Sequence, residues 1–256
     1  MTKGNTSSLV PTMPQYRALV AYLPLEYMSW DLKGPITPPS IAGHRYAAIA
    51  TCRSTRKRFG FFLAHKSDVA DKIDELRLII STLGGRMQFI KSDNGGEFVS
   101  ATLRRYFLEH AIMVETTSPH TPSQNGVAER TNRTVCESAV AMMLAANVPH
   151  NLWSYAIQHA IYLLDRLPTK ATHMATTAFV ETYGYIPDIS HLRTFGCDAF
   201  AYIQEGQRTS FGPRAEKGLM LGYDESSLGY LFYLPRKKRV YVTGHITFNE
   251  VLSEKK

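Results

Sequence analysis

Cysteine is scarce in this chain: Cys52, Cys136 and Cys197 are the only three in 256 residues, and they lie far apart. They make no CxxC pair and no even disulfide framework, which excludes a disulfide-stapled scaffold and points to a reducing, intracellular compartment. No run of about eighteen apolar residues occurs, so no membrane span is expected. The N-terminal MTKGNTSSLVPTMPQ lacks the apolar stretch of a signal peptide. Without secretion, Asn132-Arg133-Thr134 is a chance match to a glycosylation acceptor. There is no internal repeat and no long low-complexity tract.

What is present is an ordinary globular composition, 44% apolar and 20% charged. Its length suits one large domain or two modest ones. There are 29 Lys plus Arg against 22 Asp plus Glu, a net charge of +7, and the excess is spread along the chain. Such a surplus favours an anionic partner.

Periodicity orders the elements. A polar, Pro-bearing leader over 1–20 is expected to be disordered. Leu25 to Leu32, 44–52 and 58–64 read as strands, the latter two joined by a basic turn, Arg53 to Arg58. Val69, Ile73, Leu76, Ile80 and Leu83 then recur at helical spacing, and Gly84-Gly85 stops that helix. A strand before Asp93, a helix over 100–111, a strand from Ile112 to Thr117, a loop and a long helix from Val127 to Ala146 follow. Trp153, Ile157, Ile161 and Leu164 mark one more helix and are read as core. The leading strands suit an antiparallel meander and the later alternation suits parallel neighbours, so the expected fold class is α/β, a mixed sheet with helices on both faces. After about Pro187, AFAYI, GLMLGY, GYLFYL and RVYVTGHITF are short, Gly-punctuated strands of a small β unit. The expected division is leader 1–20, core 21–186 and β-rich unit 187–256.

Three carboxylates stand out by position. Asp31 ends the first strand, Asp93 ends the fourth in IKSDNGGEFVS, and Glu129 lies in the first turn of the long helix. Each has an ordinary reading alone: a turn former or cap for the aspartates, a partner of the helix dipole for the glutamate. Glu97 competes with Glu129 on spacing. Brought together, three carboxylates would repel one another unless divalent cations with hard oxygen preference joined them. Paired cations of that kind can clamp the attacking and leaving oxygens of a phosphodiester.

At SDNGGEF (92–98) and SPHTPSQNGVAERTNRT (118–134) the chain resembles the integrase core of copia-type retrotransposon polyproteins. Thirty-five residues separate Asp93 from Glu129, the spacing of the D,D(35)E integrases. The likeness continues through WDLKGP (30–35), NLWSYAIQHAIYLLDRLPTKA (151–171), SHLRTFGCDAFAYI (190–203) and residues 217–250. The resemblance implies a ribonuclease H-like fold, Asp31, Asp93 and Glu129 as catalytic residues and ligands of two Mg²⁺ or Mn²⁺ ions, and two reactions. One removes nucleotides at the ends of element DNA, and the other joins the new 3′ ends to target DNA. It implies element and target DNA as partners, a homo-oligomer, and action in the nucleus on chromosomal DNA. The chain departs from the pattern where Cys52-Arg53 replaces an acidic pair. No His/Cys zinc set precedes the core and no reverse transcriptase follows Lys256, so a fragment of a polyprotein is expected. A DNA-binding remnant without catalysis is the alternative, and a nuclease acting on RNA in hybrids is a third.

Candidate DNA contacts follow. Gln124, Asn125 and Gly126 precede the helix of Glu129, where a Gly-bearing loop and a helix N-terminus can approach phosphate. Arg130 and Arg133 can contact phosphate through the guanidinium fork, or Arg133 can pair with Glu129 at i+4. Arg236, Lys237, Lys238 and Arg239 form a basic turn on the β unit. The earlier run, Arg53 to Arg58, is read as simply solvated.

Overall fold

Within YMSWDLK, apolar side chains alternate with ones that tolerate a polar surface, and this stretch is the central strand β1 (Tyr27–Lys33). The computed structural model describes residues 22–92, 100–116, 126–169, 172, 176–224 and 226–251. The leader 1–20, Asp93, Gln124 and Asn125 lie outside the described residues. Met28 and Trp30 point into one face of the sheet, so Tyr27, Ser29 and Asp31 point to the other.

The first sheet has the order β3-β2-β1-β4-β5, with β2 (Tyr46–Cys52), β3 (Arg58–Leu63), β4 (Phe89–Ser92) and β5 (Met113–Thr116). β1–β2 and β2–β3 are antiparallel, whereas β1–β4 and β4–β5 are parallel. This is the mixed sheet expected from the order of elements. The helices α1 (Val69–Thr82) and α2 (Ala101–Glu109) bury Ile73, Leu76, Ile80, Leu103 and Phe107 against Met28, Trp30, Ile90 and Val114. Each large side chain so buried contributes about 1.5–3 kcal/mol. Leu83, the last residue of the α1 period, is exposed, and Gly84 at φ +76° turns the chain away. Ser100 caps α2, its side chain accepting from Leu103 N at 3.3 Å.

The chain divides into two compact units. The first comprises Met1–Thr37, Gly43–Arg133 and Leu164–Ile186, and the second Pro38–Ala42, Thr134–Leu163 and Pro187–Lys256. The first therefore includes the opening turns of α3 (Gly126–Ala146) and a six-residue helix, α5 (Ala178–Tyr183), which hydrophobic periodicity is too short to announce. Thr177 starts α5 by accepting from Val180 N at 3.1 Å.

The basic run after β2 is not simply solvated. Lys57 and Arg58 are buried, with Lys57 Nζ 2.8 Å and Arg58 Nη1 2.9 Å from the wholly buried carboxylate of Asp165. A buried cation demands a buried partner, and that partner lies 108 positions from Lys57, beyond the reach of any local pattern.

The second unit contains the rest of α3, all but the last residue of α4 (Trp153–Leu164) and a five-stranded antiparallel sheet. Its order is β10-β6-β7-β8-β9, from β6 (Asp198–Tyr202), β7 (Ala215–Asp224), β8 (Gly229–Leu234), β9 (Arg239–Thr243) and β10 (Ile246–Asn249). The sequence RVYVTGHITF reads as adjacent strands, but β10 pairs with β6 and not with β9. Cys197, Ala199, Ala201, Met220, Phe232 and Leu234 form the core of this sheet. Asn147, at φ +49°, ends α3 in the left-handed conformation. Gly196 is required nearby: a Cβ there would stand 2.4 Å from that of Ala146.

His159 on α4 is 2% exposed, stacks on Tyr223 with Phe195 at its edge, and neither ring nitrogen has a hydrogen-bond partner. Burial lowers its pKa to about 4. The unfolded chain, with the ordinary value of about 6.5, therefore binds a proton that the folded chain refuses between those two values. Stability from this site is complete above pH 6.5 and falls as pH drops toward 4, by at most about 3 kcal/mol. His159→Phe, which keeps the ring stack, should flatten the decline of melting temperature between pH 7 and 4.5. Parallel declines in the two proteins would refute this assignment.

Candidate active site

Asp31 is the fifth residue of β1, partly exposed, with Ile49 of β2 as its register partner. On the other flank β4 runs parallel, Ser29 opposite Lys91, so both strands finish at the same edge of the sheet. Ser92 is the last described residue of β4. Asn132 on α3, 8% exposed, donates from Nδ2 to Asp31 Oδ2. Glu129 is exposed in the first turn of α3, three residues before Asn132. Residues at i and i+3 share a helix face, with about 4.5 Å of axial rise between them. The stripe that holds Asp31 is thus the stripe that carries Glu129, and the helix N-terminus favours a carboxylate there.

The donor chemistry fits a hard divalent cation. Asp31 and Glu129 offer carboxylate oxygens, Asn132 orients one of those carboxylates, and the thiol of Cys52 faces the opposite, core side of the sheet. Among the described residues no group of three His, Cys, Asp or Glu gathers, and the remaining acid of the expected set, Asp93, lies outside them.

Toward the start of β1 the same sheet face carries a polar network. Tyr27 Oη donates to Glu115 Oε2 at 2.5 Å and Lys91 Nζ to Glu115 Oε1 at 2.6 Å. Burial, then the bond to Glu115, pushes the Tyr27 hydroxyl above its usual range, so it stays a donor. Burial alone would raise Glu115, but the bonds from Lys91 and Tyr27 outweigh it and hold the carboxyl below its ordinary range. Arg53 lies over the Tyr27 ring at 5.0 Å. This locates the Cys52-Arg53 departure: Cys52 pairs with Met28, about 10 Å back along β1 from Asp31. The cation joins the Tyr27–Glu115 network at the far end of the strand.

Of the candidate DNA contacts, Gly126 opens α3, and Arg130 and Arg133 are exposed on its first turns. Among the described residues no ion pair joins Arg133 to Glu129. Arg236, Lys237 and Lys238 are exposed between β8 and β9 and Arg239 is exposed at the start of β9, with Arg236 Nη2 3.6 Å and Lys237 Nζ 3.2 Å from Glu216. Sequence reasoning missed Asn132. Its signal is the i+3 offset from Glu129 within ERTNRT, which places an amide on the face of the acid.

Residues 21–122 match the integrase core domain family, and residues 197–256 match the retroviral polymerase SH3-like domain. The chain is 33% identical over 227 residues to the retrovirus-related Pol polyprotein from transposon TNT 1-94 of Nicotiana tabacum, covering 88% of this chain and 17% of that protein. It is 33% identical over 229 residues to the Pol polyprotein from transposon RE2 of Arabidopsis thaliana, covering 89% and 15%. The chain thus spans about a sixth of the length of these curated relatives. Among solved structures, a chain of a simian T-cell lymphotropic virus intasome in complex with PP2A regulatory subunit B56 gamma is similar, with a TM-score of 0.53 and 17% identity over 94% of this chain and 82% of that one. That likeness shows a shared fold. A mixed α/β sheet flanked by helices, a following antiparallel β sheet and these two domain matches agree: the chain carries an integrase core domain and a retroviral polymerase SH3-like domain, and its homologues are Pol polyproteins of copia-type plant transposons.

Proposed function

We propose that the chain is a metal-dependent polynucleotidyl transferase that trims the 3′ ends of element DNA and joins them to target DNA. The observation that carries this reading is the bond from Asn132 to Asp31, which sets the helix of Glu129 beside the acid-bearing edge of the sheet. Asp31 and Glu129, with Asp93 following Ser92, would hold two Mg²⁺ or Mn²⁺ ions. When bound, such ions supply Lewis-acid stabilisation of phosphodiester oxygens. The protein's part is to hold carboxylates on a rigid strand and a helix terminus, and to aim Asp31 through the Asn132 amide. Gln124, Asn125, Gly126, Arg130 and Arg133 would receive DNA beside the acids, and Arg236 to Arg239 would contact phosphate from the β unit. The reading assigns a leader over 1–20, the catalytic core to 21–186 and the β-rich domain to 187–256, with assembly as a homo-oligomer and action in the nucleus. Among the described residues no helix is long and apolar enough to cross a membrane.

The test is strand joining between oligonucleotides with Mg²⁺ or Mn²⁺. DNA binding without cleavage or joining under either metal would overturn the enzyme in favour of a DNA-binding remnant. Asn132→Ala should lower joining about 10- to 100-fold, the range for loss of a residue that orients a metal ligand. It should also raise the metal concentration needed for half-maximal rate. A fall in rate with unchanged metal dependence would reduce Asn132 to a packing role.

A further inference from the structure

The loop between β6 and β7 (203–214) and the turn between β8 and β9 (235–238) emerge at one edge of the second sheet. Tyr202 pairs with Ala215, and the next residue, Glu216, reaches Arg236 and Lys237. Three adjacent strands thus bring Tyr202 within about 10 Å of the basic turn. This edge carries Arg208, Arg214, Arg236, Lys237, Lys238 and Arg239 against Glu205 and Glu216. Glu216 is already engaged by two of the cations and by Tyr241 Oη at 3.3 Å, so the remaining charge is positive.

Aromatic surface stands beside that charge. Phe211 is completely exposed at the loop tip, and Tyr202 is 54% exposed. Arg208 is held in place: its Nε donates to Ile203 O at 2.7 Å and its guanidinium lies 4.2 Å over the Tyr202 ring. An ordered Arg–Tyr stack and a bare phenyl ring, flanked by cations, match the requirements of unpaired bases. Bases stack on aromatic or guanidinium planes, and their backbone needs positive charge. A duplex presents phosphates but keeps its base faces covered, so it would use the cations and leave Phe211 idle.

We propose that this edge binds single-stranded nucleic acid, with bases stacking on Phe211 and on the Arg208–Tyr202 pair and phosphates meeting Lys238 and Arg239. The proposal deepens the integrase reading and rests on its claim that the β unit contacts nucleic acid. The experiment is fluorescence anisotropy of the full chain with labelled oligothymidine and with a blunt duplex of equal length. Phe211→Ala should weaken single-strand binding about tenfold and leave duplex binding unchanged, and Phe211→Trp should retain single-strand binding. Lys238→Ala with Arg239→Ala should weaken both and flatten their salt dependence. Single-strand affinity indifferent to Phe211→Ala, or an equal loss for the two probes, would overturn the proposal. Strand joining is read separately: a chain that joins DNA without a Phe211 effect loses this edge and keeps its enzyme, and the reverse result keeps only the edge.

Discussion

Asp31→Asn should reduce metal-dependent strand joining at least about 1,000-fold, a loss of about 4 kcal/mol of transition-state stabilisation. The substitution is nearly isosteric. The new side chain keeps an oxygen that can accept from Asn132 Nδ2, so the tie between β1 and α3 survives. Its backbone pairing opposite Ile49 involves no side chain and is unaffected. What disappears is the negative charge, the property a hard divalent cation requires of its ligand. Circular dichroism and melting temperature should therefore match those of the parent while activity collapses. The same separation is expected for Glu129→Gln, because Glu129 is exposed and supports no packing. Retention of joining by Asp31→Asn would remove this acid from the chemistry, and with it the reason for placing the reaction at this edge.

Asp165→Ala should destabilise the first unit by about 3–5 kcal/mol, through a different mechanism. Asp165 is fully buried and receives three donors: Lys57 Nζ at 2.8 Å, Arg58 Nη1 at 2.9 Å and Arg58 N at 3.4 Å. Its removal strands two buried cations at the start of β3, and desolvated charge without a partner costs more than the pair contributed. Lys57 also lies over the rings of Phe59 and Tyr183, which cannot replace a carboxylate. The variant should melt at a distinctly lower temperature and unfold at lower denaturant concentration. Combining Asp165→Ala with Lys57→Met and Arg58→Met should recover part of the loss, because an apolar replacement leaves no stranded charge. Melting of Asp165→Ala indistinguishable from the parent would show that water already reaches these cations.

These two expectations differ in how far they could be foreseen. Asp31 is legible because a carboxylate at the end of an apolar run has a readable position, and WDLKGP, SDNGGEF and the Glu129 segment resemble one family. Asn132 was within reach, three residues from Glu129, but the helical offset alone cannot say what the shared face meets. The Lys57–Arg58–Asp165 triad was hidden, because a run of cations looks solvated until its distant partner is located. The β9–β10 segment misleads for a related reason. Short apolar strands with a Gly between them suggest a hairpin, yet pairing depends on which sheet edge is open.

The order of the strands and longer helices, the α1 and α2 faces and the change to a β unit were legible in local periodicity and residue type, whereas the choice of the three acids came from the family resemblance. The periodic features depend on spacings of two to four residues, which a chain carries in linear form. The parallel placement of β4 beside β1, the amide that fastens Asp31 to α3, the burial of Lys57 and Arg58, and the shared edge of the 203–214 loop and the basic turn were decided by tertiary structure alone. Each joins residues tens of positions apart, and burial, desolvation and pairing act on distance in space.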